Sequence, residues 1–320
     1  MSEPRESGEA GEARGSTEAG EARGSTEAGE ADGQRRPSGA RAVLVTGGGS
    51  GIGAAVARML AAGGWRIAIC GRRASALRAV AAETGALDLV CDITDAAQVD
   101  ELIGTVTGTF GRLDGLVLNA GIISPGGVAE LSPQDFSAMV AVNLTGSFLV
   151  ARSALPHLLA SGRGAIVSVA SVAALRAASG MGGYAATKAA LTMLTQSLAV
   201  DHAHEGLRAN VVCPGWTITE MADAEMAAFG GERGLGVDEA YRLVTALVPQ
   251  RRPASADEVA AVIAWLLSDA ASYVNGAVIP VDGSAVAVDV GTVPFDLRVS
   301  LSGLGQGGEH SRHDGISPPG

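Results

Sequence analysis

The chain has 320 residues, enough for one large domain or two small ones, and its 47% hydrophobic and 18% charged content indicates a well-buried globular core. With 34 acidic against 23 basic residues, a net charge of −11 and no basic stripe, the composition argues against a nucleic-acid partner. No run of about 20 apolar residues stands out, so we expect no segment that spans a membrane.

The two ends differ in composition from the middle. The nonapeptide GEARGSTEA occurs twice in succession near the start, and it has no aromatic or branched aliphatic residue with which to offset the entropy of ordering. We predict that residues 1–40 form a disordered tail, and not a secretory signal, because no apolar stretch is present. The Gly/Ser/Pro-rich extension 289–320 is predicted to be partly disordered, and we assign its His310 and His313 to a solvated tail rather than to a metal site.

From residue 41 onward, short apolar runs alternate with helical patterns. Several of these runs are apolar throughout, as strands covered on both faces of a sheet are. The alternation predicts a parallel sheet with right-handed crossovers, and therefore a single doubly wound α/β domain over residues 41–288. The predicted strands are 42–45, 66–70, 87–91, 115–120, 165–171, 208–214 and 276–282.

A glycine-rich turn follows the first predicted strand. In VLVTGGGSGIG, the residues Gly47, Gly51 and Gly53 form a G-x-x-x-G-x-G pattern, with Ser50 and Ile52 between them. Glycines at such a turn let the backbone approach a pyrophosphate at the N-terminus of the next helix. A glycine pattern alone is weak evidence, but its place after the first strand of an alternating β/α chain predicts dinucleotide binding.

The residues after the second and third strands bear on which dinucleotide binds. A carboxylate after the second strand would hold the adenosine ribose, but this chain has Arg72 and Arg73 there. A guanidinium suits a phosphate dianion, so we expect NADP rather than NAD, with Arg72 as the contact; solvated arginines at a helix start are the alternative. After the third strand, Asp92 and the adjacent Ile93 are placed at the adenine, or Asp92 caps the next helix.

Tyr184 and Lys188 are four residues apart in a predicted helix and therefore share one face. Lys188 is the only lysine in a chain that otherwise uses arginine. A cation about 4–5 Å from a phenol favours phenolate by roughly 3–4 kcal/mol in an effective dielectric near 20. We therefore expect Lys188 to lower the pKa of Tyr184 and to make it useful as a proton donor or acceptor.

Six motifs in order resemble the short-chain dehydrogenase/reductase family over roughly residues 41–283. They are TGGGSGIG (46–53), NAG (119–121), VNLTG (142–146), SVASVAAL (168–175), YAATK (184–188) and PGWTITEM (214–221). The resemblance implies a Rossmann domain with a seven-stranded parallel sheet. It also implies a catalytic tetrad of Asn143, Ser171, Tyr184 and Lys188, with Ser168 as the weaker candidate for the serine.

The resemblance implies a role for each site residue. Ser171 would bond the substrate oxygen, Tyr184 would transfer its proton, Lys188 would hold the ribose, and Asn143 would fix a water that relays protons to Lys188. The cofactor would also be lined by the backbone at the ends of the fourth and sixth strands. The residues at those two places are Asn119, Ala120, Gly121, Pro214, Gly215, Thr217 and Thr219.

The resemblance implies an NAD(P)-dependent oxidoreductase that interconverts a secondary alcohol and a ketone. A non-catalytic dinucleotide-binding regulator on the same fold is the alternative; a sugar-nucleotide epimerase or dehydratase would need a larger C-terminal domain. The family also suggests a homotetramer, built through the two long helices that carry Asn143 and Tyr184. Three cysteines without disulfide or metal spacing, namely Cys70, Cys91 and Cys213, suggest buried thiols and a reducing cytoplasm.

Between Trp216 and Pro253, two short helical patterns are split by FGGERGLG, where the family places its substrate lid. Apolar side chains on these patterns suggest a hydrophobic ketone or alcohol as substrate, although they could equally pack on the core. These residues are Met221, Met226, Phe229, Leu235 and Leu243. The stretch after VDGS could pack on a neighbouring subunit, cover the mouth of the site or form a surface tail.

Overall fold

The structure, a computed structural model, describes residues 39–296, so most of the predicted N-terminal tail and residues 297–320 lie outside the described part. All seven predicted strands are present, within a few residues of their expected bounds. They are β1 Ala42–Thr46, β2 Arg66–Gly71, β3 Leu87–Val90, β4 Gly115–Leu118, β5 Ala165–Val169, β6 Arg208–Pro214 and β7 Val278–Val281.

The strands form one parallel sheet in the order β3-β2-β1-β4-β5-β6-β7. The strand order reverses between β1 and β4, and in open α/β sheets the crevice outside the carboxyl ends at this point is the usual ligand site. The predicted doubly wound Rossmann fold is therefore confirmed, and its topology places a site beside the β1 turn.

Nine α-helices connect and flank these strands within the described residues. They are α1 Gly51–Ala62, α2 Ala74–Thr84, α3 Ala96–Phe110, α4 Pro133–Met139, α5 Ser147–Ala160, α6 Gly182–His202, α7 Glu220–Gly231, α8 Val237–Val244 and α9 Ala256–Leu267. The hydrophobic core has two main parts, one on each face of the sheet. Val43 and Val45 of β1 pack with α1, α2 and α9, whereas Leu44 between them packs with α3 and α5.

The edge strand β3 departs from the expectation of runs that are apolar throughout. Its residues alternate between half-buried and exposed, and Val90 is 63% exposed. Leu87 and Leu89 point inward against the core of α3 and α5, since an edge strand is covered on one face only.

A seven-residue π-helical segment, Val140–Gly146, joins α4 to α5 where the sequence predicts one continuous helix. The whole helical run Pro133–Ala160 is long and apolar enough to cross a membrane by length and composition, contrary to the expectation that no such run exists. Its residues Val150, Ala154 and Leu158 are buried in the core against the sheet, as in the core helix of a doubly wound domain.

Candidate active site

A cavity of about 1150 Å³ opens at the carboxyl ends of the strands, beside the topological switch point. It is bounded by the glycine turn after β1, the ends of β2, β4, β5 and β6, and the segment that carries α7. Most of the predicted site residues line it: Gly47, Ser50, Gly51, Ile52, Arg72, Asp92, Ile93, Asn119, Ala120, Gly121, Ser171, Tyr184, Lys188, Pro214, Gly215, Thr217 and Thr219. Gly53 and Asn143 are not among the lining residues, and both are buried.

The glycine turn has a conformation and spacing that admit little but glycine. Gly47 and Gly51 have φ of +65° and +52°, a backbone conformation that residues other than glycine rarely adopt. A Cβ on Gly53 would lie 2.3 Å from the carbonyl oxygen of Gly47, so Gly53 serves close packing of α1 on the turn rather than ligand contact. The exposed backbone at the N-terminus of α1 fits the pyrophosphate of a dinucleotide.

Asn119 ties the end of β4 to this turn. Its Nδ2 donates to the carbonyl oxygens of Thr46 (2.9 Å) and Gly47 (3.1 Å). The Thr46 hydroxyl in turn accepts from the backbone N–H of Asn119 and of Ala120. The turn and the β4 end are therefore held as one rigid wall of the cavity.

The two arginines after β2 differ in their surroundings. Arg73 is engaged: it donates to Glu220 on α7 (2.7 Å) and to the Ser50 hydroxyl (2.8 Å). Arg72 is exposed, lines the cavity and has no hydrogen-bond or ion-pair partner among residues 39–296. Of the two, Arg72 is thus the guanidinium available to a phosphate.

Asp92 lies at the cavity beside Arg72, but it does not cap the following helix. Its Oδ1 accepts from the backbone N–H and the hydroxyl of Thr94, and these bonds together with Arg72 hold the pKa of the carboxyl below its usual range. Asp95 is the residue that caps α3. The capping alternative for Asp92 is therefore wrong.

Lys188 is 3% exposed and lies on the face of α6 that closes the cavity. Its Nζ donates to the carbonyl oxygen of Val169 at the end of β5 (2.9 Å) and lies 5.7 Å from the centre of the Tyr184 ring. A Cβ on Gly121 would stand only 3.2 Å from this Nζ, so the slot is narrow. Burial lowers the pKa of Lys188 to about 8.

Tyr184 lies on the cavity with Ser171, but its acidity is not what the sequence suggests. Burial raises the pKa of Tyr184 to about 12, more than the side chain of Ser171 lowers it. The expectation that the pKa of Tyr184 is lowered is therefore wrong in direction, because burial of the phenol disfavours its charged form.

The two serine candidates are separated by their contacts. Ser171 follows β5, accepts from the backbone N–H of Ala173 (3.1 Å) and lines the cavity with Tyr184. Ser168 is fully buried within β5, and its hydroxyl is paired with that of Thr195 at 2.7 Å. The geometry favours Ser171, as the spacing to the tyrosine indicates.

Asn143 lies in the π-helical segment and is fully buried. Its amide is bonded to both backbone groups of Ile122 (2.8 and 2.9 Å) and to the Thr187 hydroxyl (3.0 Å). The side chain thus joins the loop after β4 to α6 at Thr187, the residue that precedes Lys188.

Two helices, α7 and α8, are present as predicted in the segment where the resemblance places a substrate lid. Of the five apolar residues that the sequence analysis names on this segment, only Met221 lines the cavity. Met226 and Phe229 pack in a small cluster with Tyr241 of α8, and Leu243 is 46% exposed without lining the cavity. Core packing, the alternative, therefore accounts for part of the set.

Several residues that line the cavity are not among those predicted from the sequence, namely Glu225 on α7, Arg176 after β5 and Val286 beyond the last strand. Glu225 carried a usable signal, because it lies one helical turn after Met221 and so faces the same way. Asp282 accepts from the backbone N–H of Ser284 (2.9 Å) and of Val286 (2.8 Å), which turns the chain after β7 back onto the cavity.

The stretch after VDGS therefore contributes to the cavity wall. Among the described residues, Asp296 near its end forms an ion pair with Arg251 at 2.9 Å. These contacts favour the interpretation that it covers the site over that of a simple surface tail.

Comparison with known proteins agrees with this geometry. A family profile described as "Enoyl-(Acyl carrier protein) reductase" matches residues 47–284. A levodione reductase of Leifsonia aquatica is 37% identical over 77% of this chain and 94% of its own. The chain belongs to the short-chain dehydrogenase/reductase family. Protein MoaE of Klebsiella aerogenes is similar too, at 41% identity over 80% of this chain and 99% of its own.

Solved structures of this short-chain dehydrogenase/reductase family resemble the protein along most of their length. A crystal structure of levodione reductase has a TM-score of 0.75 at 36% identity, covering 78% of this chain and 98% of that one. Actinorhodin polyketide ketoreductase with NADPH has a TM-score of 0.73 at 32% identity, covering 77% and 97%. The resemblance stated from the six motifs is thereby confirmed.

Proposed function

We propose that the protein is an NADP-dependent oxidoreductase that interconverts a secondary alcohol and a largely apolar ketone, with Tyr184 as the proton donor and acceptor. The observation that carries the proposal is the convergence of Ser171, Tyr184 and Lys188 on the cavity that the glycine turn also lines. Relatives named levodione reductase and meso-2,3-butanediol dehydrogenase, the latter from Serratia marcescens at 36% identity, support alcohol–ketone chemistry.

The residues present fit a nicotinamide dinucleotide. The backbone after β1 would hold the pyrophosphate, Asp92 and Ile93 the adenine, and the β6 turn at Pro214 and Gly215 the nicotinamide end. When bound, the coenzyme supplies or accepts the hydride. Arg72 supports NADP over NAD, because it is unpaired among the described residues and no carboxylate follows β2 in the sequence.

The protein's own residues supply the proton. Because the pKa of Tyr184 lies at about 12, its hydroxyl is protonated near neutral pH and can donate to a carbonyl oxygen that gains negative charge. Ser171, on the cavity with Tyr184, would orient the same oxygen. Lys188 carries the positive charge beside the phenol, which favours the phenolate once the proton has left.

A non-catalytic regulator on the same fold is disfavoured, because such a protein has no need of a serine, tyrosine and lysine held on one cavity. The family profile that matches this chain is that of an enoyl-(acyl carrier protein) reductase, so an enoyl thioester is a second candidate acceptor. The described residues after β7 form only short turns, which leaves no large substrate domain of the epimerase kind within the described chain.

The test is oxidation of NADPH and NADH with a panel of aryl and alkyl ketones, with crotonyl-CoA as the enoyl acceptor. We expect ketone-dependent oxidation, and we expect Tyr184→Phe to lower kcat by about 10²–10⁴-fold, the usual contribution of a general acid. Fluorescence titration with NADPH checks that the variant still binds coenzyme. Coenzyme binding without turnover of any ketone or secondary alcohol by the wild type would support the regulator instead.

We also propose that the protein is a homotetramer and that it is cytoplasmic. Large apolar side chains are exposed on α5 and α6: Phe148 is 46% exposed, Met193 62% and Val200 78%. These exposed apolar side chains on α5 and α6 support an interface between copies of the chain. Light scattering coupled to size-exclusion chromatography measures the state; a monomer at micromolar concentration would contradict it.

A further inference from the structure

Glu225, on α7, is the unusual charged group of the cavity. It is half-buried, lines the cavity and has no hydrogen-bond or ion-pair partner among residues 39–296. The other carboxylates that line the cavity all have partners in the described part of the chain. Asp92 is bonded to Thr94, Glu220 to Arg73, Glu258 to Arg252, and Asp282 to the backbone of Ser284 and Val286.

The carboxylate is electrostatically coupled to the reacting end of the cavity. Its negative charge contributes to the raised pKa of Tyr184, and burial raises the pKa of Glu225 itself. Glu225 and Tyr184 line the same cavity, and Arg73 is bonded to Glu220 and Ser50 instead of to Glu225. Partial burial disfavours the charged form of this carboxylate, and a cationic ligand group would favour that form.

We propose that Glu225 binds a positively charged amine of the substrate, so that the substrate is an amino alcohol or the corresponding amino ketone. The inference rests on the proposed function for the reacting carbon and adds the chemistry of a second substrate group. An ammonium donates charge-assisted hydrogen bonds to a carboxylate, about twice as strong as those between neutral groups. Trp216, Met221 and Val172 line the same cavity and suit an apolar body.

Arg176 is the cation that could oppose this assignment, since it lines the cavity as well. Its side chain is exposed, and its guanidinium donates to the carbonyl oxygens of Leu175 (2.9 Å) and Val286 (3.4 Å). Within residues 39–296, no hydrogen bond or ion pair joins Arg176 to Glu225. Arg176 therefore leaves the carboxylate open to a ligand.

Three alcohols of the same shape test the proposal, namely 2-amino-1-phenylethanol, 1-phenyl-1,2-ethanediol and 1-phenyl-1-propanol. They differ in one terminal group: ammonium, hydroxyl or methyl. Binding to the protein saturated with NADP⁺ is measured by calorimetry, and oxidation by NADPH formation. We expect the amine to bind about 10-fold or more tightly than the methyl analogue, the scale of a hydrogen bond to a charged group.

Glu225→Gln should remove this preference and leave affinity for the methyl analogue within about 2-fold, while Glu225→Asp should retain part of it. Glu232→Gln removes the same charge from the exposed end of α7, away from the cavity, and should keep the full preference. Equal binding of amine and methyl analogues to the wild type, or a preference that survives in Glu225→Gln, overturns the proposal. A preference for the diol alone also overturns it.

The outcome is separable from that of the proposed function. Oxidation of the methyl analogue without any amine preference would support the alcohol chemistry and reject the role of Glu225. Binding preference for the amine, lost in Glu225→Gln, would support that role even if none of the three alcohols or their ketones were turned over, a result that would count against the proposed function.

Discussion

The ammonium nitrogen of Lys188 lies 5.7 Å from the centre of the Tyr184 ring, and the same nitrogen donates to the carbonyl oxygen of Val169 at 2.9 Å. The lysine is therefore anchored to the sheet, at the end of β5, while its charge faces the phenol. The neighbouring Gly121 leaves no room for a bulkier head group, since a Cβ there would stand 3.2 Å from Nζ.

This narrow slot explains why the only lysine of the chain is at position 188, and it predicts that arginine cannot replace it. We expect Lys188→Arg to lower kcat/KM by about 100-fold or more, because the planar guanidinium does not fit and displaces Tyr184, the proposed proton donor. Steady-state kinetics with NADPH measure the effect. Arg58→Lys, at an exposed ion pair with Glu83, is the control and should be near wild type; full activity of Lys188→Arg would contradict the explanation.

The low pKa of Lys188 can be measured directly, because lysine labelled at the ε-carbon gives a single resonance in this chain. We expect the ligand-free protein to titrate at about 8, below the ordinary value of 10.5. Titration near 10.5 would show that the amine is hydrated.

The same shift predicts a pH dependence of stability. Between about pH 8 and 10.5 the unfolded chain retains the lysine proton that the folded chain has lost, so the free energy of unfolding rises with pH by up to about 3 kcal/mol from this group. The raised pKa values of the buried thiols Cys70, Cys91 and Cys213 oppose this trend from about pH 9, and that of Tyr184 opposes it from about pH 10. The contribution of the lysine is therefore measured as the difference between wild type and Lys188→Met in urea unfolding from pH 7 to 9.5, and this difference should grow in favour of the wild type as the pH rises.

The different surroundings of the two arginines after β2 predict different effects on coenzyme affinity. We expect Arg72→Ala to weaken NADPH binding about 10- to 100-fold and NADH binding little, because a guanidinium–phosphate contact is charge-assisted. Fluorescence titration with both coenzymes is the measurement. Arg73→Ala, which removes a guanidinium already bonded to Glu220 and Ser50, serves as the matched control. Unchanged NADPH affinity in Arg72→Ala would remove this residue from the site.

The bonds of Asn143 predict a loss of stability as well as of activity. Asn143→Ala leaves the backbone N–H and carbonyl of Ile122 without their partner, and we expect about 2–4 kcal/mol less unfolding free energy. Chemical denaturation measures this loss. An alanine variant as stable as the wild type would show that water takes over both bonds.

The sheet could be predicted because its signal is local: each strand is a short apolar run bounded by turn residues, and the glycine turn fixes which strand is first. The π-helical segment around Asn143 could not be predicted, because a shift of the backbone hydrogen bonds by one residue leaves the hydrophobic periodicity almost unchanged. The sequence also predicts a lowered pKa for Tyr184, whereas burial raises it. Spacing indicates that a cation is near, but desolvation depends on the tertiary packing around both groups.

In the segment of α7 and α8, the helices can be predicted from local sequence, but the direction in which their side chains face cannot. The rotation of α7 is set by its packing against Tyr241 of α8, which turns Met226 inward and leaves Met221 and Glu225 on the cavity. An apolar stripe at helical spacing indicates that some face is buried, without saying against what. A structure was needed to distinguish the wall of the cavity from the packing of these helices.

The burial of the single lysine has a practical consequence for the folded chain. An endoprotease specific for lysine has one cleavage point, after a side chain that is 3% exposed in the middle of α6. Cutting there requires this helix to leave the sheet, so the native protein should resist digestion, and the half-life of the intact chain under such a protease should report how often the core opens.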